Sequence, residues 1–259
     1  MTKEEVLQQC TIDGNIVRLP AFQLDRKLYT EVSKSLELIG GKWKGGKVAG
    51  FVFPEGYEEE LESLLGKISS GDKVNIKKET QAFFTPSILA TRLVQLAEIE
   101  ENEIILEPEA GQGAIIDAIL EKFSMAEIFC CEKSTMNQII LNKKYPISDY
   151  EINHNVIIMH PLNDDFLNLK CNQFDKIIAN PPFSNNQDID HIYQMYKFLK
   201  DGGRIVTIAS THWIYSMNNK EREFKKWLSQ VEAEVIEVEA GAFKESGTMV
   251  GSVIIVINK

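Results

Sequence analysis

Long apolar runs are missing from this chain: no stretch approaches the roughly 20 apolar residues that a membrane-crossing helix needs. The first ten residues, MTKEEVLQQC, lack the apolar centre of a secretory signal. Cysteine is scarce. Cys10, Cys130, Cys131 and Cys171 form no CxxC pair and have no histidine at metal spacing, so neither a zinc site nor any other metal is expected. Unpaired thiols of this kind fit a reducing compartment, and cytoplasmic residence is the expectation. Positive charge is short too, with 28 Lys and Arg against 38 Asp and Glu, a net of −10. That excludes a protein that coats nucleic acid indiscriminately, but not one with a local basic face. Internal repeats and low-complexity tracts are also lacking.

The deficit is uneven. Residues 1–80 hold 12 basic and 13 acidic residues, net −1; the rest hold 16 and 25, net −9. Between Glu37 and Glu55 the only charges are Lys42, Lys44 and Lys47. The first part reads as a small module, residues 1–79. DRKLYTEVSKSLELIG places Leu28, Val32, Leu36 and Ile39 near helical spacing, with Asp25 as N-cap and Gly40-Gly41 as the stop. KWKGGKVAGFVF reads as a hairpin turning at Gly45-Gly46. YEEELESLLGK predicts a second helix, giving an α-β-β-α unit.

From residue 80 to 259 strands and helices alternate. TPSILATRLVQLAEI is a helix with Pro86 near its first turn. EIILEP, AEIFCCE, NVIIMH, FDKIIA, GRIVTIAS, AEVIEVE and GSVIIVIN read as seven strands, with helical patterns after the first, second, fourth and fifth. This is an α/β domain with a mostly parallel seven-stranded sheet, helices on both faces, and a small α+β module before it. No helical pattern separates the last two strands, which predicts an antiparallel hairpin at the sheet edge.

Two turns carry chemistry. LEPEAGQGAIIDAIL (106–120) is strand, Gly-rich turn and helix, where Gly111 and Gly113 permit tight backbone and close ligand approach. A dinucleotide loop would want a third glycine at Ile116. Glu132 ends the next strand, where an acid can accept from both ribose hydroxyls of a nucleoside. The turn is either purely structural or a nucleoside-cofactor loop. In PLNDDFL (161–167), Asp165 could accept from an adenine amine and Phe166 could stack on its ring. Equally, this is an acidic turn with a core Phe. The second turn is FDKIIANPPFSNNQ (174–187). Pro181 and Pro182 cannot extend a central strand, so they stiffen a turn at its C-terminal end, where ligands bind in open α/β sheets.

EPEAGQG, Glu132, NDDF and NPPF, in this order and preceded by FFTPSILATRLVQLA (83–97), resemble the S-adenosylmethionine-dependent N6-adenine DNA methyltransferases in their gamma motif arrangement. The resemblance spans residues 80–259 and implies a class I, Rossmann-like methyltransferase fold. It also fits the residue types. Adenine's exocyclic amine is a poor nucleophile because its lone pair is delocalised. Two acceptors, the Asn180 side-chain oxygen and the Pro181 carbonyl, would favour a pyramidal nitrogen, and Phe183 offers a stacking face for an extruded base. The rest is alignment of amine, methyl and sulfur. No Pro-Cys dipeptide is present for C5-cytosine chemistry.

By the same resemblance, Phe84, Thr85, Pro86 and Asn180 lie by the cofactor. Glu107, Ala110, Gly111 and Gly113 surround its methionine part, Glu132 its ribose, and Asp165 and Phe166 its adenine. Glu109 departs from the small residue many relatives have there and is expected to point to solvent. Asn185 and its neighbours either line the base pocket or cap the next helix. His191 is expected to be structural. Target recognition has three candidate stretches: 40–51 with Lys42, Trp43, Lys44 and Lys47; 211–222 with Trp213; and 240–251 with Lys244. Trp43 either meets nucleic acid or packs on its own helices. The chain has no room for a large recognition insert, so a dimer or a recognition partner is expected. Duplex DNA is the expected substrate, in an orphan enzyme or the modification half of a restriction system. Alternatives are N-methylation of ribosomal RNA or protein glutamine, or an inactive nucleic-acid-binding relative.

Overall fold

The computed structural model describes residues 1–53, 57–58, 61–71, 85–146, 155–159, 165–170, 173–238 and 251–259. The chain divides into two compact units, Met1–Gln81 and Ala82–Lys259.

The first unit begins with a short helix, α1 (Lys3–Leu7), fixed by a capping box in which Thr2 and Glu5 exchange side-chain to backbone bonds of 3.2 and 2.9 Å. A hairpin follows, β1 (Thr11–Asp13) and β2 (Ile16–Arg18), then α2 (Arg26–Leu38), β3 (Lys42–Lys44), β4 (Gly50–Val52) and α3 (Leu61–Ser69). The strands form an antiparallel sheet in the order β1-β2-β4-β3. Asp25 caps α2 by accepting from the N–H groups of Lys27 and Leu28, and Val32 and Leu36 are buried on its inner face. The expected α-β-β-α unit is thus α2-β3-β4-α3. The helix and hairpin ahead of it went unread, because three-residue strands are too short for an alternation to show.

The second unit holds all seven expected strands. Its elements are α4 (Ser87–Ala97), β5 (Ile104–Glu107), α5 (Ala114–Lys122), β6 (Glu127–Cys131), α6 (Thr135–Lys144), β7 (Asn155–Met159), β8 (Phe174–Ala179), α7 (Gln187–Phe198), β9 (Leu199–Ser210), α8 (His212–Tyr215), α9 (Asn219–Gln230), β10 (Glu234–Glu237) and β11 (Ser252–Asn258). Sheet order is β10-β11-β9-β8-β5-β6-β7. Pairing is parallel from β9 to β7, and β11 runs antiparallel to both its neighbours. The edge hairpin forms as expected.

The sheet's two faces are both buried. Ile105, Ile178 and Val206 join one core with α4 and α5; Leu106, Ile177 and Ile205 join the other with α7 and α9. Burial on both faces explains why the strands read as unbroken apolar runs. Strand order reverses between β5 and β8, so a crevice opens beyond their C-terminal ends. Both chemically suggestive turns sit there. Among the described residues, no helix is long and apolar enough to cross a membrane.

Candidate active site

The glycine turn leaves β5 at Glu107. Gly111 and Gly113 both take left-handed backbone, φ 55° and 81°, a region costly for any residue with a Cβ. At Gly113 packing forbids a side chain as well: a Cβ would stand 2.6 Å from the Tyr145 hydroxyl, which is held 2.7 Å from Asp117 Oδ1. The turn is sewn to the next strand by two N–H donations, Ala110 to the Cys131 carbonyl (2.9 Å) and Gly111 to Glu132 Oε2 (2.7 Å).

Three acids converge on this turn. Glu132 is buried and accepts from the backbone N–H groups of Gly111 and Ser134 (2.6 Å). Burial pushes its pKa up, and those donors restrain the rise. Glu107 is 2% exposed, and its pKa lies well above the ordinary carboxylate range because of burial, with the Glu109 and Glu132 charges adding to it. Its Oε2 is buried without a hydrogen-bond partner among the described residues. An ammonium or another N–H donor is what that atom lacks.

Glu109 does not point to solvent. Its Oε1 lies 2.5 Å from His191 Nδ1, with the side chains 15% and 7% exposed. Burial alone would lower the His191 pKa; the Glu109 carboxylate outweighs it, so the net shift is upward.

Asp165 pairs with Lys133 at 2.8 Å and accepts from the Leu167 N–H at 3.0 Å. Burial would raise its pKa, but the Lys133 ammonium and that N–H hold it low. Phe166 is 2% exposed, its ring against His191 and Phe198. It belongs to the core, at the start of the short 3-10 turn after Asp165. Residues 161–164 lie outside the described residues.

The proline turn leaves β8 at Asn180, 3% exposed, whose Nδ2 donates to Thr85 Oγ1 at 3.0 Å. That bond joins positions 95 residues apart and uses the amide's N–H side, so Thr85 does not consume the acceptor capacity of Oδ1. Thr85 itself is buried, and Pro86 starts α4 by accepting from the Leu89 and Ala90 N–H groups. Phe84 lies outside the described residues. Pro181 is buried; Pro182 is half-buried, and Phe183 packs partly exposed against the core that contains Ala110 and Leu89. Asn185 and Asn186 both take left-handed backbone, which asparagine tolerates better than most residues. Asn185 is exposed.

Of the three recognition stretches, the lysine hairpin is on the surface of the first unit. Lys42, Lys44 and Lys47 are exposed, and Trp43 is 44% exposed with its inner face on Phe51 and Tyr29. Trp43 therefore packs on its own unit, as one of the two readings had it, and still keeps part of its ring exposed. Trp213 is not on the surface. It is 6% exposed and meets Phe224 edge-on in the core, because α8 rolls its apolar side onto α9. Lys244 lies outside the described residues. What the sequence did not reveal is Glu221, 1% exposed, which accepts from Asn186 Nδ2 (3.0 Å) and Asn218 Nδ2 (3.2 Å). A glutamate in a charged helix gives no sign of burial.

A family profile described as N-6 DNA Methylase matches residues 62–194. Modification methylase CviBIII of Paramecium bursaria Chlorella virus NC1A is 37% identical over 111 residues, covering 41% of this chain and 27% of that protein. A probable ribosomal RNA small subunit methyltransferase A of Thermococcus sibiricus is 27% identical over 169 residues, 63% of this chain and 56% of that one. The chain thus spans about a quarter and just over half the length of these relatives. The solved type I restriction-modification system methyltransferase subunit from Streptococcus thermophilus superimposes with a TM-score of 0.57 at 18% identity, over 76% of this chain and 49% of that chain, a likeness of fold. The fold is that of class I S-adenosylmethionine-dependent methyltransferases. The profile covers just over half of the sequence and takes in both the glycine turn and the Asn180 turn: the chain belongs to the N-6 DNA methylase family.

Proposed function

We propose that the protein transfers a methyl group from S-adenosylmethionine to the N6 amine of adenine in DNA. The observation that carries this reading is Asn180, an amide buried at the end of β8 and tied through its N–H to Thr85. Such a fixed amide can present a carbonyl acceptor to an exocyclic amine without reorganising. The Pro181 carbonyl would supply the second acceptor, and Phe183 a surface for the extruded base.

The residues of the crevice fit the cofactor. The buried Glu107 oxygen suits an ammonium, and two further acids surround it. Glu132 is held by two backbone donors and a side-chain hydrogen bond with Asn137, a fixed carboxylate that would accept from ribose hydroxyls. Asp165 likewise retains acceptor capacity for an amine. Bound there, S-adenosylmethionine supplies an electrophilic methyl on a sulfonium. The chain's contribution is alignment and exclusion of water, and it needs no strong base. Lys42, Trp43, Lys44 and Lys47 would meet phosphates and bases from the first unit.

The test uses purified protein, labelled S-adenosylmethionine and unmethylated duplex DNA, with nucleoside analysis of the product. N6-methyladenine is expected, falling on the order of a hundredfold or more in Asn180→Ala. Methylation of ribosomal RNA adenine is the second reading, favoured by the Thermococcus sibiricus relative. Product on ribosomal RNA, with none on DNA, would replace the first reading with it.

A further inference from the structure

Among the described large apolar side chains of the second unit, only Ile88 is more exposed than Tyr215 (81%) and Met217 (80%). Single exposed apolar residues are ordinary. This pair is set apart by where it stands and what holds it. It lies at the tip between α8 and α9, just beyond Ser210 at the end of β9. β8 and β9 are parallel neighbours with Ala179 opposite Thr207, so this segment and the Asn180 turn leave the sheet at one edge.

The two segments are fastened to each other by polar bonds, several of them buried. Asp188 Oδ2 accepts from the Ser210 N–H (2.9 Å) and hydroxyl (2.8 Å). Lys220 donates to the Asn186 carbonyl (3.0 Å) and pairs with Asp190 (2.7 Å). Asn186 and Asn218 both donate to the buried Glu221. The Tyr215–Met217 tip is thereby held in fixed relation to the residues that follow the catalytic turn. Its surroundings are basic in an acidic chain: residues 211–226, THWIYSMNNKEREFKK, carry Lys220, Arg222, Lys225 and Lys226 against Glu221 and Glu223. Of the two acids, Glu221 is buried, while Arg222 and Lys226 are exposed.

We propose that Tyr215 and Met217 form the contact surface for the DNA bases flanking the target adenine. Tyr215 stacks on a neighbouring base and Met217 wedges beside it, while Arg222 and Lys226 meet the adjacent phosphates. An aromatic and a thioether within a basic segment match a polyanion with stacked rings, and extruding a base breaks the stacking of its neighbours. This rests on the DNA methylation proposed above.

The experiment compares wild type with Tyr215→Ala/Met217→Ala and with Tyr215→Phe/Met217→Leu, measuring KM for duplex DNA, kcat, melting temperature and S-adenosylmethionine affinity. The alanine variant is expected to raise the KM for DNA about tenfold or more. Its melting and cofactor affinity should match wild type, and the Phe/Leu variant should stay near wild type throughout. An alanine variant with the wild-type KM and kcat overturns the inference and leaves the proposed function standing. A Phe/Leu variant as impaired as the alanine one also overturns it, because stacking and bulk are then not what the site uses. Wild-type protein that methylates no DNA overturns both.

Discussion

Glu107 shows most plainly what a single residue contributes here. A carboxylate buried without a partner for one of its oxygens is a burden on the folded chain and an asset to a cationic ligand. Its folded pKa is raised, so the protein's stability should fall as pH climbs above the unfolded value near 4.5. Glu107→Gln removes the charge and keeps the shape. We expect it to raise the melting temperature of the ligand-free protein, by about 1–3 kcal/mol of stability at neutral pH. The same change should weaken S-adenosylmethionine binding about tenfold or more. Thermal melts and calorimetry read the two effects, and a variant that moves both in the same direction would refute the assignment. Glu107 could be located from sequence because it ends an apolar strand ahead of two glycines. Its burial and its missing partner could not, since both are set by what packs around it in three dimensions.

At the level of elements, the pair between His191 and Glu109 joins the glycine turn to the helix behind the Asn180 turn. The charges acting on the imidazole are Glu109, Asp165 and its own neighbour Asp190, all acidic. A histidine with a raised folded pKa contributes fully below its unfolded value, about 6.5, and loses that contribution as pH rises through the folded value. Urea unfolding between pH 6 and 9 should therefore show stability declining on the alkaline side of pH 6.5. In His191→Gln that decline should become shallower, the Glu107 contribution remaining, with about 1–3 kcal/mol less stability at pH 6. An unchanged slope would mean the pair carries no charge. The strands and helices of this unit were legible because parallel, doubly covered strands are written as apolar runs broken by 3.6-residue patterns. The ties between elements were not. Asn180 to Thr85, Asn186 to Glu221 and Glu109 to His191 each join side chains 35 to 95 residues apart, and spacing along the chain says nothing about such meetings. Trp213 misled for a related reason: an aromatic in a polar segment looks like a surface residue until the helix that buries it is placed.

For the whole molecule, the decisive feature is the position of β11. It lies between β9 and β10, pairs antiparallel with both, and is buried from Ser252 to Ile257. The ribosome therefore makes both flanking strands before the one that separates them. Until residues 252–258 emerge, β9 presents an apolar, unpaired edge that cannot be satisfied by β10 in its native place. Such an edge is an aggregation hazard, and the sheet can close only in one late step. A chain stopped after Gly251 is expected to accumulate in the insoluble fraction, and a soluble, cooperatively melting truncation would refute this. In the cell, the interval between synthesis of β9 and synthesis of β11 is when this protein would draw most heavily on chaperones. Slowing translation across that interval should reduce the yield of folded protein without changing a single residue.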